Sequence, residues 1–400
     1  MGEVNFRQED INEVQEHVER NGVLNIGTML NQKLEENRNT EINIGITGNS
    51  GTGKSSFINA IRGVPDDDPT AAPTGVTQTT IEPTPYHNLE NYRNIIFWDL
   101  PGIGTVDFPN LKTYKGQVHL GDYDVFLILA ASRFTLKDLE LAREIRSMHK
   151  KFFFVYTKID VDTNAEKRKQ NFDETQMLES IRNTCLNSLM SLQDHGEDAP
   201  PLFLISNHYP EKWEFSDLTN AILDALPKLK QEALTLFIDV LISKSADILK
   251  RKIKVLKERI WMVALNAGVA GLVPIPGFST AVNFVLIRKE IKFYRSQLGL
   301  PEDGTDEFAK MNPAYKGTLT KFSFSTPIQF AQLVTSCMPL VAGEKLLLVI
   351  PVVGIVLSSI AGGAVSSGLA YYILKKCLEE FEKIALDEIN KNSIEDSDNE

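Results

Sequence analysis

Residues 42–63 read "INIGITGNSGTGKSSFINAIRG", and the fold of the chain turns on them. The run 42–46 is apolar, glycines follow, and residues 55–62 have helix-forming composition with Gly63 placed as a C-terminal cap. Strand, glycine-rich loop and helix in that order form the setting of a phosphate-binding loop. Gly48, Asn49, Ser50, Gly51, Thr52, Gly53, Lys54 and Ser55 spell G-x-x-x-x-G-K-S, with Ser56 next in the helix. Such a loop turns successive backbone N–H groups toward phosphate oxygens, and the helix N-terminus favours the anion. Lys54 is expected to reach the β- and γ-phosphates, and the Ser55 hydroxyl to ligate Mg2+.

Outward from this loop, "IIFWDLPG" (95–102) ends an apolar run with Asp99 and Gly102. A carboxylate at a strand end can hold the metal's water shell, and Gly102 can offer its N–H to the γ-phosphate. "TKID" (157–160) follows "KFFFVY" (151–156). Asp160 can accept from N1–H and the N2 amino group of guanine, donors that adenine does not present. The Lys158 stem can lie along the base, and Thr157 stands where many such proteins carry Asn. "LISN" (204–207) ends the next apolar run, so backbone contacts to the base are expected from Ser206 and Asn207. Between the first two motifs, "APTGVTQTTIEPTPY" (72–86) reads as a polar loop long enough to close over a triphosphate. Thr80 is its expected metal ligand, with Thr79 and Thr74 as alternatives, and order only with the triphosphate would make it a switch. Ras-type enzymes place a water-orienting Gln after the glycine of D-x-x-G. Here that residue is Ile103, so hydrolysis is slow or the orienting group comes from elsewhere, such as Gln78 or a partner molecule.

The 400 residues suffice for two domains, and 42% hydrophobic with 24% charged residues is ordinary globular composition. A net charge of −11 argues against a general nucleic-acid surface. Cys185, Cys337 and Cys377 are far apart and suit a reducing compartment, and the six histidines are scattered. The start, "MGEVNFRQED", has no apolar signal core, so secretion is not expected, and Phe6 spoils the myristoylation pattern that Gly2 opens. No Ser/His/Asp set or carboxylate pair offers a rival active site.

Residues 5–38 are expected to be helical. From Glu41, the apolar runs "INIGIT", "NIIFWDL", "YDVFLILA", "KFFFVYT" and "PLFLIS" alternate with helical stretches such as 136–151 and 174–192. That alternation predicts an α/β domain over 41–228, its mostly parallel sheet covered on both faces. Residues 229–390 read as helical and 391–400 as an acidic disordered tail. The uncharged stretches 260–287 and 346–374 are each long enough to cross a bilayer. Pro274, Pro276, Pro351 and several glycines divide them into lengths typical of buried helices, the reading preferred here. Lys244, Lys250, Arg251, Lys252, Lys254, Lys257 and Arg259 precede the first stretch and could meet anionic headgroups.

Together, "GNSGTGKSSFINAIRG", "APTGVTQTTIEPTPY", "FWDLPGIGT" and "FVYTKID" resemble the immunity-related GTPases, the interferon-inducible, dynamin-related family. The likeness continues through "GDYDVFLILAASRF" and, more loosely, "NAGVAGLVPIPGFSTAVNF" and "FYRSQLGL". It implies a Ras-like P-loop GTPase domain and an all-α domain built from both chain ends, residues 1–40 packing with the C-terminal helices. It further implies GTP/GDP and Mg2+ as ligands and GTP-dependent self-association through G domains as a homodimer or oligomer. The implied location is cytoplasmic, with peripheral attachment to endomembranes or pathogen-containing vacuoles. Lys54 groups the chain with the lysine-bearing members, in which a switch-loop acidic residue assists hydrolysis across a G-domain dimer. The matching position is Gln78, which can orient water but cannot act as a base. The implied catalytic group is then Lys54, Thr80, Gln78 and Gly102. The competing readings are a non-catalytic GTP-gated scaffold and a membrane-spanning GTPase unrelated to immunity.

Overall fold

A computed structural model describes residues 8–22, 25–75, 82–87, 94–103, 108, 110–190, 201–238, 245–270, 278–343 and 361–398. The chain divides into two compact units, Asn37–Ile248 and Met1–Glu36 with Leu249–Glu400.

The first unit is built on a six-stranded sheet in the order β2-β3-β1-β4-β5-β6. The strands are β1 Ile42–Gly48, β2 Thr84–His87, β3 Ile95–Asp99, β4 Val125–Ala130, β5 Lys151–Tyr156 and β6 Leu202–Leu204. All neighbours are parallel except β2 and β3. Every residue of β4 is buried, as a sheet covered on both faces requires. Its helices are α3 Lys54–Arg62, α4 Leu111–Val118, α5 Leu136–Ser147, α6 Ile159–Glu166, α7 Glu174–Leu189, α8 Phe215–Ala225 and α9 Lys228–Phe237. This is the topology of a Ras-like P-loop fold, and β1 sits where the chain switches from one side of the sheet to the other. Ligands collect at such a point, beyond the carboxyl ends of the strands.

β2 corrects the reading of 72–86 as loop throughout. Pro83 and Pro85 disguise the strand, yet an edge strand tolerates proline because one side of its ladder is unpaired. Helix α3 buries Phe57, Ile58 and Ile61 and ends where expected, with Gly63 at φ 67° and its N–H donating to the Ala60 carbonyl. Helix α5 opens with a capping box in which the Asp138 carboxylate accepts from the Thr135 N–H at 2.8 Å and its hydroxyl at 2.7 Å. Burial raises the Asp138 pKa. Asp138→Ala removes both bonds and is expected to lower stability by about 1 kcal/mol, read as a lower urea midpoint at unchanged slope. Helix α9 starts at the boundary expected near 228 but lies in the sheet unit. There Phe237 packs on Phe97, ring centroids 5.7 Å apart, and Lys230 reaches Asp124 at 2.7 Å.

The second unit is helical over its described residues: α1 Gln8–Asn21, the first part of α2 Ile26–Asn39, most of α10 Ala246–Ala270, α11 Phe278–Gln297, α12 Asp306–Lys310, α13 Pro313–Phe322, α14 Pro327–Gly343 and α15 Ala361–Asp398. Arg259 joins three of them, donating to the Leu34 carbonyl at 2.9 Å and pairing with Glu290 at 3.2 Å in a buried setting. Lys252 is buried as well and donates to Gln297 at 3.0 Å. The basic run is therefore not one headgroup-facing cluster. Lys250, Lys254 and Lys257 are exposed at helical spacing, and Lys257 pairs with Glu382 at 2.9 Å. Within 260–287, Ile260, Trp261, Val263, Ala264, Leu265 and Ala267 of α10 are buried, while 271–277 lies outside the described residues. Of 346–374, residues 361–374 begin α15 and the rest lies outside the description. Among the described residues, no helix is long and apolar enough to cross a membrane. α15 also continues to Asp398, through most of the acidic segment expected to be disordered. Its buried face, Phe381, Ile384, Ala385 and Ile389, anchors a helix that adds one hydrogen bond per further residue.

Candidate nucleotide-binding site

Close backbone contacts leave no room for a side chain at Gly48, which ends β1, or at Gly102, which lies against it. A Cβ on Gly48 would stand 2.2 Å from the Leu129 carbonyl oxygen of β4. One on Gly102 would stand 2.7 Å from the carbonyl oxygen of Gly48, so the segment after β3 lies directly against the loop. Gly53 takes φ 81°, in the left-handed region, and opens α3. Asn49 is half-buried, Ser50 and Gly51 are exposed, Thr52 is buried, and Ser56 is half-buried in the first turn of α3. The Thr52 hydroxyl donates to the Asn49 carbonyl at 2.9 Å.

Lys54 folds back over this loop, its Nζ donating to the carbonyls of Gly48 at 3.1 Å and Asn49 at 3.3 Å. Burial holds the Lys54 pKa below the ordinary lysine value, against the pull of Asp99 and Asp138. Ser55 Oγ donates to Asp99 Oδ2 at 2.9 Å, which joins the loop to the end of β3. Asp99 is buried, 2% exposed.

At the far side of the loop, Thr157 is fully buried and its hydroxyl donates to the Thr52 carbonyl at 2.7 Å. Lys158 is exposed at φ 63° as the cap of α6, and Asp160 is half-buried in that helix's first turn. Ser206 is buried after β6, and Asn207 Nδ2 donates to the Gly53 carbonyl at 2.9 Å. Lys54, Ser55, Asp99, Gly102, Thr157, Lys158, Asp160, Ser206 and Asn207 thus all lie at or beyond the carboxyl ends of β1, β3, β5 and β6. Gln78, Thr79 and Thr80 lie outside the described residues, and Thr74 is exposed just before them. Ile103 is 1% exposed and packs into the core with Leu100, Phe108 and Tyr114.

Two contributions escape a reading by motif. Tyr114 OH meets Thr47 Oγ1 at 2.9 Å beneath the loop, and burial raises its pKa. The side chain of Asn207, rather than its backbone alone, ties the last strand to the phosphate loop. Asn207 is a polar residue just past a strand end, whereas nothing local to α4 singles out Tyr114.

Comparison with known proteins agrees with this geometry. The family model for interferon-inducible GTPase (IIGP) matches residues 7–332. Interferon-inducible GTPase 1 of Mus musculus is 33% identical over 76% of this chain and 72% of its own length. T-cell-specific guanine nucleotide triphosphate-binding protein 2 of Mus musculus is 30% identical over 98% of this chain and 93% of its own. Interferon-inducible GTPase 5 of Bos taurus is 32% identical over 93% and 80%. The family match spans both the sheet and much of the helical unit, and the chain belongs to the interferon-inducible GTPase family, the immunity-related GTPases.

Proposed function

We propose that this GTPase hydrolyses GTP cooperatively, on self-assembly, at a membrane surface in cell-autonomous immunity. The observation that carries the cooperative part is the burial of Ile103, 1% exposed. The side chain after Gly102 is committed to the core, so this position cannot orient the attacking water. The orienting group then comes from the switch loop, with Gln78 as the candidate, or from a second molecule. Lys54 neutralises developing charge on the β- and γ-phosphates, and Gly102 offers its backbone N–H to the γ-phosphate. Asp160 and Lys158 hold the guanine base, with the backbone of Ser206 and Asn207 alongside.

Ser55 Oγ and buried Asp99, 2.9 Å apart, fit Mg2+, a hard cation that takes oxygen donors. Thr80 is the further ligand proposed for the GTP state. Held by these oxygens, Mg2+ would supply positive charge that offsets the charge of the phosphates. The exposed Lys250 and Lys254, one helical turn apart on α10, support peripheral contact with an anionic membrane surface.

The test is GTP turnover against protein concentration, with Gln78→Ala beside the wild type. Specific activity is expected to climb with concentration, and Gln78→Ala to lose about tenfold or more at saturating protein. A flat, near-zero rate with tight GTP binding would replace this proposal with a nucleotide-gated scaffold.

A further inference from the structure

Thr157 and Asn207 both bond to the phosphate loop, but they differ in what they have left to offer a base. The Thr157 hydroxyl has a single proton, and it goes to the Thr52 carbonyl at 2.7 Å, with the Ala130 carbonyl at 3.2 Å. Nothing on that side chain remains to donate to a base. Asn207 differs. Its Nδ2 carries two hydrogens, of which one serves the Gly53 carbonyl at 2.9 Å. Its Oδ1 is buried and has no hydrogen-bond partner among the described residues. Turning the amide over would set that oxygen against the Gly53 carbonyl, so the orientation is fixed. Both side chains converge on Gly53, whose added Cβ would lie 2.9 Å from Asn207 Nδ2 and 4.0 Å from Thr157 Oγ1. The loop presenting the amide is itself held, Ser206 Oγ accepting from the His208 N–H at 3.2 Å.

We propose that the second Nδ2 hydrogen of Asn207 donates to N7 of the bound guanine, the base contact that Thr157 cannot make. The inference rests on the nucleotide reading above and adds a side-chain contact to it. Guanine gives its donors, N1–H and the N2 amino group, to Asp160. Its other edge, N7 and O6, only accepts, and a donor held beside the phosphate loop is what that edge needs. N7 is common to all purines, so Asn207 supplies purine affinity while Asp160 selects guanine. Thr157 acts on the base only through the loop it braces.

The test compares GDP with 7-deaza-GDP, in which a C–H replaces N7, on the full chain with Mg2+ present. Wild-type protein is expected to bind 7-deaza-GDP about three- to tenfold more weakly than GDP. In Asn207→Ala the two ligands should bind alike, both more weakly than GDP binds the wild type. Thr157→Val should weaken both while keeping the wild-type ratio. Equal affinity of the wild type for the two ligands overturns the proposal without any variant. So does a ratio that survives in Asn207→Ala or vanishes in Thr157→Val. If the wild type bound neither ligand, the nucleotide reading itself would fall, a result distinct from each of these.

Discussion

Exchanging Asp160 for asparagine is expected to move the base preference from guanine to xanthine. The carboxylate offers two acceptor oxygens, and the half-buried first turn of α6 holds it beyond the end of β5. Asparagine keeps one acceptor and turns the other into a donor, which meets the N2 amino group of guanine hydrogen to hydrogen. Xanthine carries an oxygen at that position and accepts from the new amide. Two charge-assisted bonds are at stake, each worth about 1.5–3 kcal/mol. GDP affinity should therefore fall by on the order of a thousandfold. Competition of GDP and XDP against a fluorescent nucleotide measures the exchange. Unchanged GDP affinity would remove Asp160 from the site.

Lys54→Ala is expected to abolish tight binding of any nucleoside di- or triphosphate. Its ammonium sits on the carbonyls of Gly48 and Asn49, where phosphate oxygens would replace them as partners. Losing charged contacts to two phosphates corresponds to a drop of about a hundred- to ten-thousandfold. The fold should survive, because burial of this ammonium works against the folded chain. The variant without nucleotide should thus melt close to wild type, while the upward thermal shift that GDP gives the wild type disappears. Wild-type affinity in the variant would sink the phosphate-loop assignment.

Local pattern carried the reading where neighbours in sequence are neighbours in space. The phosphate loop, Asp99 at the end of β3 and the αL cap at Gly63 are each specified within a few residues. The three-dimensional surroundings of Asn207 are not, since its partner Gly53 is 154 positions away. β2 escaped because four residues, with Pro83 before them and Pro85 among them, carry too little alternation to separate strand from loop. The basic run misled for a different reason. Charge alone suggests a solvated face, but Lys252 and Arg259 are seven residues apart and so share the helix face of Leu249, Leu256 and Val263. Their partners Gln297 and Glu290 are also seven apart, in reverse order, as two antiparallel helices require. Heptad spacing was the available signal, and it outranked charge.

The Arg259 bond to the Leu34 carbonyl also bears on how the chain is made. The two residues are 225 positions apart, and the whole sheet unit lies between them in sequence. During synthesis α2 is made before α10 and α11, which supply the partners of its Leu34 carbonyl, Asn31 and Glu35. The sheet unit, complete by residue 248, can close in that interval. Until α10 and α11 follow, the Leu34 carbonyl and Asn31 lack those partners and α2 is incompletely held. Truncation after the sheet unit would remove those partners permanently, so loss of order in such a fragment would start at α2, far in sequence from the cut.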